Sequence, residues 1–203
     1  MMILAGSDTT ATGQAFAILM LGAHQHEQEL VYEEIRSIFG TSTRPVTADD
    51  LRGTKYLDAF IKETLRLYPS IPIAGRNIET DTTLPSGVVL PAKAQVIINN
   101  FAIMRNPNHW GHDAHQFRPS RFYSGEPLPA NANLSFSLGP RNCIGYDYAI
   151  MSMKTLIINV LRRYKVLHAQ ELHKDQTPPP PRLKFEIMLK AVDNFTIRLE
   201  KRV

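Results

Sequence analysis

A single cysteine set between two glycines is the feature that most constrains this chain. Cys143 is the only cysteine among 203 residues, and it lies in the stretch Phe136–Gly145, between Gly139 and Gly145. Glycine lets the backbone turn tightly and pass close to a flat ligand, and Arg141 supplies donors for a carboxylate. With no second cysteine, Cys143 has no disulfide partner within the chain. The sequence therefore predicts a metal ligand or a nucleophile in a tight loop.

The composition predicts an ordinary globular domain. Hydrophobic residues make up 43% and charged residues 21%, which is enough to bury a core. One cysteine argues against a disulfide-stapled secreted fold. The start of the sequence lacks the basic segment of a secretory signal. No apolar run approaches the roughly 18 residues that a membrane-spanning helix needs. The formal charge of +4 comes from basic residues scattered among acids, so we expect no nucleic-acid partner.

Hydrophobic periodicity predicts helices in the first third of the chain. The predicted helices cover residues 1–23, which are apolar almost all round, and the amphipathic segment 24–39. A capping box at Thr47–Asp50 is predicted to open another helix, and a further helix covers 56–67. The last of these stops where Tyr68 precedes a proline. His24 and His26 do not share a helical face, so we interpret both as solvated.

Two polar features of these helices allow more than one interpretation. Ala5–Thr10 places Asp8 and Thr9 in an apolar helix, where buried polar groups need hydrogen bonds or water. Alternatively, this cluster caps a helix that begins at Asp8. Glu63 and Arg66 are three residues apart on a helix and can meet, although most pairs at that spacing are surface ion pairs of little energetic value.

The second half of the chain mixes strands with irregular segments. Residues 70–104 have strand character, with a hairpin turn at Ser86–Gly87 and a short strand at 95–98. The irregular stretch 105–135 contains three histidines, which we interpret as solvated rather than as a metal site because the spacing matches no known ligand pattern; they are His109, His112 and His115.

The remaining C-terminal elements are a helix and two strands. Residues 145–166 carry a helical apolar pattern. The segments 183–189 and 195–199 alternate and are predicted to pair with each other across residues 192–194.

The cysteine loop resembles the haem-binding loop of the cytochrome P450 family, whose pattern is F-x-x-G-x-R-x-C-x-G. All five fixed positions are present, at Phe136, Gly139, Arg141, Cys143 and Gly145. Each would match by chance roughly one time in fifteen or more rarely, so an accidental full match is very rare. The resemblance implies that Cys143 is the axial thiolate ligand of haem b.

Three weaker motifs follow the same family order. Ala5–Thr10 resembles the oxygen-activation motif of the long central helix, Glu63–Arg66 the E-x-x-R pair, and Phe117–Phe122 the P-E-R-F region. The resemblance implies a mainly α fold with small β-sheets, beginning inside the central helix, with residues 1–203 forming the C-terminal part of a single haem domain. It also implies that Arg121 joins Glu63 and Arg66 in a buried structural lock.

Finer features resemble the family 4 branch, which is linked to fatty-acid and hydrocarbon hydroxylation. By this resemblance Arg76 and Arg141 bind the haem propionates, and Asp8 and Thr9 deliver protons to bound dioxygen. Residues 71–74, the segment before Gly6, and 192–195 are expected to line an apolar substrate pocket. The chain departs from the branch at Ala5, where a glutamate often forms an ester to haem, so no covalent haem link is expected.

The resemblance also implies partners and a location. Electrons would come from NADPH through a flavoprotein reductase with an acidic face, for which Arg162, Arg163 and Lys165 are candidate contacts, although a solvated helix face explains them equally well. The full-length parent is expected at the endoplasmic reticulum membrane. A family member is much longer, so the competing hypothesis is that this chain is a non-catalytic fragment, unable to hold haem or substrate alone.

Overall fold

The computed structural model of the chain describes residues 2–125, 127–170 and 178–202. Within those residues, helices dominate and four two-stranded antiparallel sheets accompany them. The helices are α1 Met2–Ala23, α2 Gln25–Phe39, α3 Ala48–Gly53, α4 Lys55–Leu67, α5 Asn100–Ile103, α6 Pro107–Trp110 and α7 Tyr146–Leu161. The strands are β1 Ile73–Asn77, β2 Thr82–Thr83, β3 Val89–Leu90, β4 Gln95–Asn99, β5 Tyr164–His168, β6 Leu183–Phe185, β7 Leu189–Ala191 and β8 Ile197–Lys201. The predicted mainly α fold with small sheets is confirmed.

The core lies where α1, α2, α4 and α7 pack together. Phe16, Ile35, Phe60 and Ile157 are each fully buried there, and burying a side chain of this size stabilises the fold by roughly 1.5–3 kcal/mol. Only the C-terminal half of α1 takes part, since Ile3 near its start is 88% exposed. None of the described helices combines the length and the apolarity that crossing a bilayer requires.

The helix boundaries follow local sequence signals. The Thr47 hydroxyl accepts the Asp50 amide at 3.4 Å and the Asp50 carboxylate accepts the Thr47 amide at 2.8 Å, so the predicted capping box is confirmed. The hydrogen-bonded Arg44 guanidinium holds the pKa of Asp50 well below its usual range. The predicted hairpin turn is also confirmed, because β2 pairs with β3 across Gly87, whose φ of +84° suits a residue without a side chain.

The prediction that α7 continues to residue 166 is wrong. The helix ends at Leu161, and β5 pairs with β8, with Val166 opposite Leu199. A buried side-chain amide fixes the change from helix to strand. Gln28 on α2 donates to the Val166 carbonyl at 2.7 Å and accepts the Val166 backbone N–H at 2.9 Å. A local apolar pattern does not reveal a partner 138 residues away.

The predicted pairing of residues 183–189 with 195–199 is also wrong. The first segment is broken, so that β6 turns back on β7 with Lys184 opposite Lys190. Glu186 lies in the turn and forms ion pairs with both lysines, at 2.7 and 2.8 Å. This carboxylate offsets the repulsion between two like charges that face each other across the sheet.

The histidines that the sequence predicts to be solvated differ in exposure. His109, His112 and His115 are exposed, as predicted, and the described residues contain no group of three or more metal-ligating side chains. His24, in contrast, is half-buried and stacks on Phe117 with ring centroids 4.5 Å apart, so the prediction that it is solvated is wrong. Burial lowers the pKa of His24 to about 4.

Candidate functional site

The cysteine loop folds back on itself directly before α7. The Cys143 amide donates to the Phe136 carbonyl at 2.9 Å, which closes the loop. A single 3-10 turn begins at Gly139, whose φ is +73°, a region that L residues with a side chain rarely adopt. The Phe136 ring lies edge-on to Tyr146 at the start of α7, with centroids 4.6 Å apart. The loop is therefore anchored at one end and open at its tip.

The tip of the loop presents a free thiol at the surface. Cys143 is exposed and makes no disulfide. Its neighbours Ile144 and Leu138 are 96% and 45% exposed. Exposed aliphatic side chains on both sides of a thiol provide apolar contacts for a bulky ligand that approaches the sulfur.

Two arginines border this loop. Arg76, on β1, donates to the Ser137 hydroxyl at 3.1 Å and to the Gly75 carbonyl at 2.8 Å, which brings the strand next to the loop. Arg141 is exposed. Within the described residues, neither guanidinium has a carboxylate partner. Both are consequently available to an anionic ligand that reaches the loop.

Sequence reasoning missed the part played by Ser137. This residue has a φ of +62°, and a residue with a side chain in that region costs about 1–2 kcal/mol. Arg76 donates to the Ser137 hydroxyl, and the Ser137 amide donates to the Leu134 carbonyl at 3.0 Å. No local sequence signal marks the position, since serine does not identify a left-handed residue.

Glu63 and Arg66 form a fully buried ion pair on α4. Both side chains are 0% exposed, and the carboxylate accepts Arg66 Nε at 2.7 Å and Nη2 at 2.9 Å. Arg66 Nη1 also donates to the carbonyls of Met104 and Ala114, each at 2.7 Å. The surface ion pair considered from the sequence is thus excluded. The pair joins α4 to the residues on both sides of α6.

Arg121 approaches this pair but makes its hydrogen bonds elsewhere. Its Nε lies 3.5 Å from Glu63 Oε1, an ion-pair distance without hydrogen-bond alignment. Its Nη atoms donate to the carbonyls of Trp110 and Asp113 at 3.1 and 3.2 Å. Arg121 therefore supports the pair mainly by bonding to the surrounding backbone.

A second carboxylate, Asp113, balances the charge of this cluster. It contacts Arg121 at 3.2 Å and Arg118 at 2.8 Å. Burial alone would raise the pKa of Asp113, but the charges of Arg121 and Arg118 hold that pKa below its usual value. Asp113 was missed from the sequence because it lies in a segment without periodicity.

The polar cluster in α1 lies within a continuous helix. The helix runs from Met2 to Ala23, so the alternative that it begins at Asp8 is wrong. The Thr9 hydroxyl donates to the Ala5 carbonyl at 2.7 Å, and Asp8 is exposed. The Ser70 hydroxyl donates to the Thr9 carbonyl at 2.7 Å, a contact from outside the helix that the sequence did not predict.

Contacts through Ser70 and β1 connect the polar cluster of α1 to the cysteine loop. Ser70, which holds Thr9, also accepts the Leu189 amide at 3.1 Å, so α1, the end of α4 and β7 meet at this residue. Arg76 follows on β1 and reaches the cysteine loop. Ser70 and β1 therefore link the Asp8–Thr9 turn to the Cys143 loop through the segment after α4.

Comparison with known proteins gives a consistent result. The family model described as Cytochrome P450 matches residues 1–195. The Drosophila melanogaster proteins "Probable cytochrome P450 4p2" and "Cytochrome P450 4p1" are 42% and 37% identical to this chain, over 80% and 97% of its length and over 31% and 37% of their own. Mouse "Cytochrome P450 4V2" is 35% identical over 97% of this chain and 36% of its own length. The chain spans about a third of the length of these relatives.

Proposed function

This chain belongs to the cytochrome P450 family, and we propose that it forms the cysteine-ligand side of a haem-thiolate monooxygenase. Residues 1–203 would then be the C-terminal part of one haem domain. The observation that carries the proposal is the exposed thiol of Cys143, held in a loop closed by its own amide. The proposed reaction inserts one atom of dioxygen into a C–H bond of an apolar substrate.

The residues around the loop fit a haem group. A Cβ added at Gly139 would meet no atom within 4 Å, so this side of the loop leaves room for a flat ring. A thiol at the tip offers a soft ligand to iron, and Arg76 and Arg141 offer two guanidinium groups for the two propionates. When bound, haem supplies the oxygen chemistry, and a thiolate ligand favours O–O cleavage.

The chain's own residues would hold the haem iron, shape the loop around it and supply protons. Cys143 would hold the iron as a thiolate, and Gly145 would let the chain enter α7 beside the sulfur. On α1 the Thr9 hydroxyl donates to the Ala5 carbonyl, so its oxygen keeps a lone pair free to accept a hydrogen bond from water. Asp8, which is exposed on the same helix, and Thr9 would supply protons through a relay of this hydroxyl and water. Glu63 and its arginines would fix the fold without taking part in proton transfer.

The substrate and the partners belong to the same proposal. We propose a fatty acid or a hydrocarbon, which the segments at 71–74 and 192–195 would contact, with electrons delivered from NADPH by a flavoprotein reductase. The whole protein would act at the endoplasmic reticulum membrane. The relatives are about three times as long as this chain. In this proposal, the part of a family member that the chain does not span forms the remaining walls of the pocket.

Reconstitution with haem tests the assignment. Reduced, carbon monoxide-treated protein should show the displaced Soret band of a thiolate-ligated haem, and Cys143→Ser should abolish it. His115→Ser, which removes an exposed alternative iron ligand, should leave the band unchanged. A displaced band that persists without Cys143 would refute the proposal.

A non-catalytic fragment is the second candidate, favoured by the 88% exposure of Ile3 on α1. A chain that binds haem only when it is joined to the rest of a family member would establish this second candidate. A chain that binds haem alone and oxidises a fatty acid would exclude it.

A further inference from the structure

A small cavity lies between the C-terminal ends of α2 and α7, away from the cysteine loop. Its volume is about 100 Å³ and its wall includes Arg36, Arg162 and Arg163, together with the hydroxyl-bearing loop 41–43. One water molecule needs about 10–15 Å³ of such volume, so the cavity has room for several waters. This volume suits one small polyatomic ion and is far below the 300–1,000 Å³ of typical drug-sized ligand pockets.

The loop side of the cavity is a row of hydroxyl groups. Thr41, Ser42 and Thr43 are consecutive and exposed. The Ser42 hydroxyl accepts the Arg44 amide at 3.3 Å. In this bond the Ser42 oxygen acts only as an acceptor. Its O–H hydrogen can therefore still donate to a ligand.

Arg162 fixes the geometry of this wall. Its guanidinium donates to the Ser42 carbonyl and, at 2.9 Å, to the Arg44 carbonyl. It also lies over the Phe39 ring at 4.5 Å from the centroid, while Arg44 lies 4.7 Å from the centroid of the same ring. The backbone of the loop is thus tied to both helix ends.

Arg36 and Arg163 remain without an anion. In the part of the chain that the structure describes, neither has a carboxylate partner, and the cavity wall carries no acidic side chain. Cations at helix C-termini commonly offset the helix dipole, which accounts for Arg36 in the last turn of α2 and for Arg162 directly after α7. Arg163 lines the same cavity, as a second arginine that has no carboxylate partner among the described residues.

We propose that this cavity binds a phosphate group, either as inorganic phosphate or as a phosphomonoester. Two unpaired guanidinium groups and a row of hydroxyls provide donors for a tetrahedral oxyanion. The site is distinct from the proposed haem site, because α7 has 16 residues and separates them by about 24 Å at 1.5 Å per residue. Its test therefore needs no haem.

Calorimetric titration of the full chain with inorganic phosphate, against chloride at equal ionic strength, tests this site. The double variant Arg36→Gln, Arg163→Gln should bind phosphate at least tenfold more weakly. Lys55→Gln, which removes one exposed charge elsewhere, should bind like the unmodified chain. Equal weakening by Lys55→Gln, or equal heats with chloride, would show a general charge effect and overturn the proposal.

Two further measurements keep the result decisive. Ser42→Ala retains every charge and should weaken phosphate binding about threefold, so it remains informative if circular dichroism shows that the double variant is unfolded. Unchanged affinity in a folded Ser42→Ala protein would contradict the role of the hydroxyl row. Glycerol 1-phosphate and vesicles containing phosphatidic acid, compared with phosphatidylcholine vesicles, distinguish a soluble phosphomonoester from a lipid headgroup as the source.

Discussion

The Glu63–Arg66 pair and the Cys143 loop place their reactive groups in opposite surroundings. Glu63 and Arg66 are 0% exposed and every charged atom of the pair faces a partner. Cys143 is exposed and its loop is closed by one backbone hydrogen bond from its own amide. A satisfied, buried network makes a fold rigid, whereas an exposed thiol at the tip of a loop stabilises little by itself. The first region therefore maintains the structure and the second is available to a ligand.

The largest expected effect is at the buried carboxylate. Glu63→Gln should destabilise the chain by about 3–5 kcal/mol, because it leaves the Arg66 charge buried without its counter-ion. Urea denaturation measures the change. Glu186→Gln is the matched control: its carboxylate also contacts two cations but is 36% exposed, so its loss should cost far less than the loss of Glu63. Equal losses in both variants would remove the distinction between the two regions.

An intermediate effect is expected in the cysteine loop backbone. Gly139→Ala should cost about 1–2 kcal/mol, since Gly139 has a φ of +73° and a side chain there is strained. Gly75→Ala is the control, because Gly75 lies on β1 outside the positive-φ region with nothing within 4 Å of an added Cβ. Thermal unfolding of both variants measures the difference. A Gly139→Ala protein as stable as Gly75→Ala would show that the loop relaxes freely.

A pH-dependent effect is expected at His24, which stacks on Phe117 beside the buried network. The folded state keeps this imidazole neutral because its pKa is lowered to about 4, while the unfolded chain takes up a proton near 6.5. Stability should therefore fall as the pH drops from about 6.5 to about 4, by at most about 1.4 kcal/mol per pH unit.

Denaturation curves across that pH range measure the slope. His24→Phe should flatten it, and the exposed His115→Phe should leave it unchanged. A slope that survives His24→Phe would assign the proton uptake to another group.

The smallest effect is expected at the cysteine itself. Cys143→Ser should change the unfolding free energy of the haem-free chain by less than about 0.5 kcal/mol, because the side chain is exposed. Ala17→Ser, at a 0% exposed core position, should cost about 1–3 kcal/mol for burying a hydroxyl. Chemical denaturation of haem-free protein compares the two, and a large loss at Cys143 would mean that the loop stabilises the fold before any ligand binds.

The sequence predicted those features that depend on neighbours close along the chain. Periodicity located α1, α2 and α4, and Thr47 and Asp50 predicted their capping box, because each rests on contacts within one or two turns. The cysteine motif was recognised for the same reason, since its glycines, arginine and cysteine lie within ten residues.

Sequence reasoning failed where a distant partner decides the structure. Gln28 holds Val166 in a strand from 138 residues away, and so α7 is shorter than its apolar pattern predicts. His24 is half-buried because Phe117 comes to lie on it, and Thr9 is held by Ser70 from another element. Neither contact can be inferred from the local sequence pattern.

By itself the sequence determined the chemical groups and the local elements: one thiol in a glycine loop, a glutamate and an arginine on one helix face, and a mainly helical chain. Tertiary structure alone decided which of these groups are buried. Glu63 and Arg66 lose all contact with solvent because the backbone around Met104, Ala114 and Gln116 encloses them. Cys143 keeps its exposure because no described segment covers its loop. Burial depends on contacts between segments far apart in the chain, which residue type and spacing do not specify.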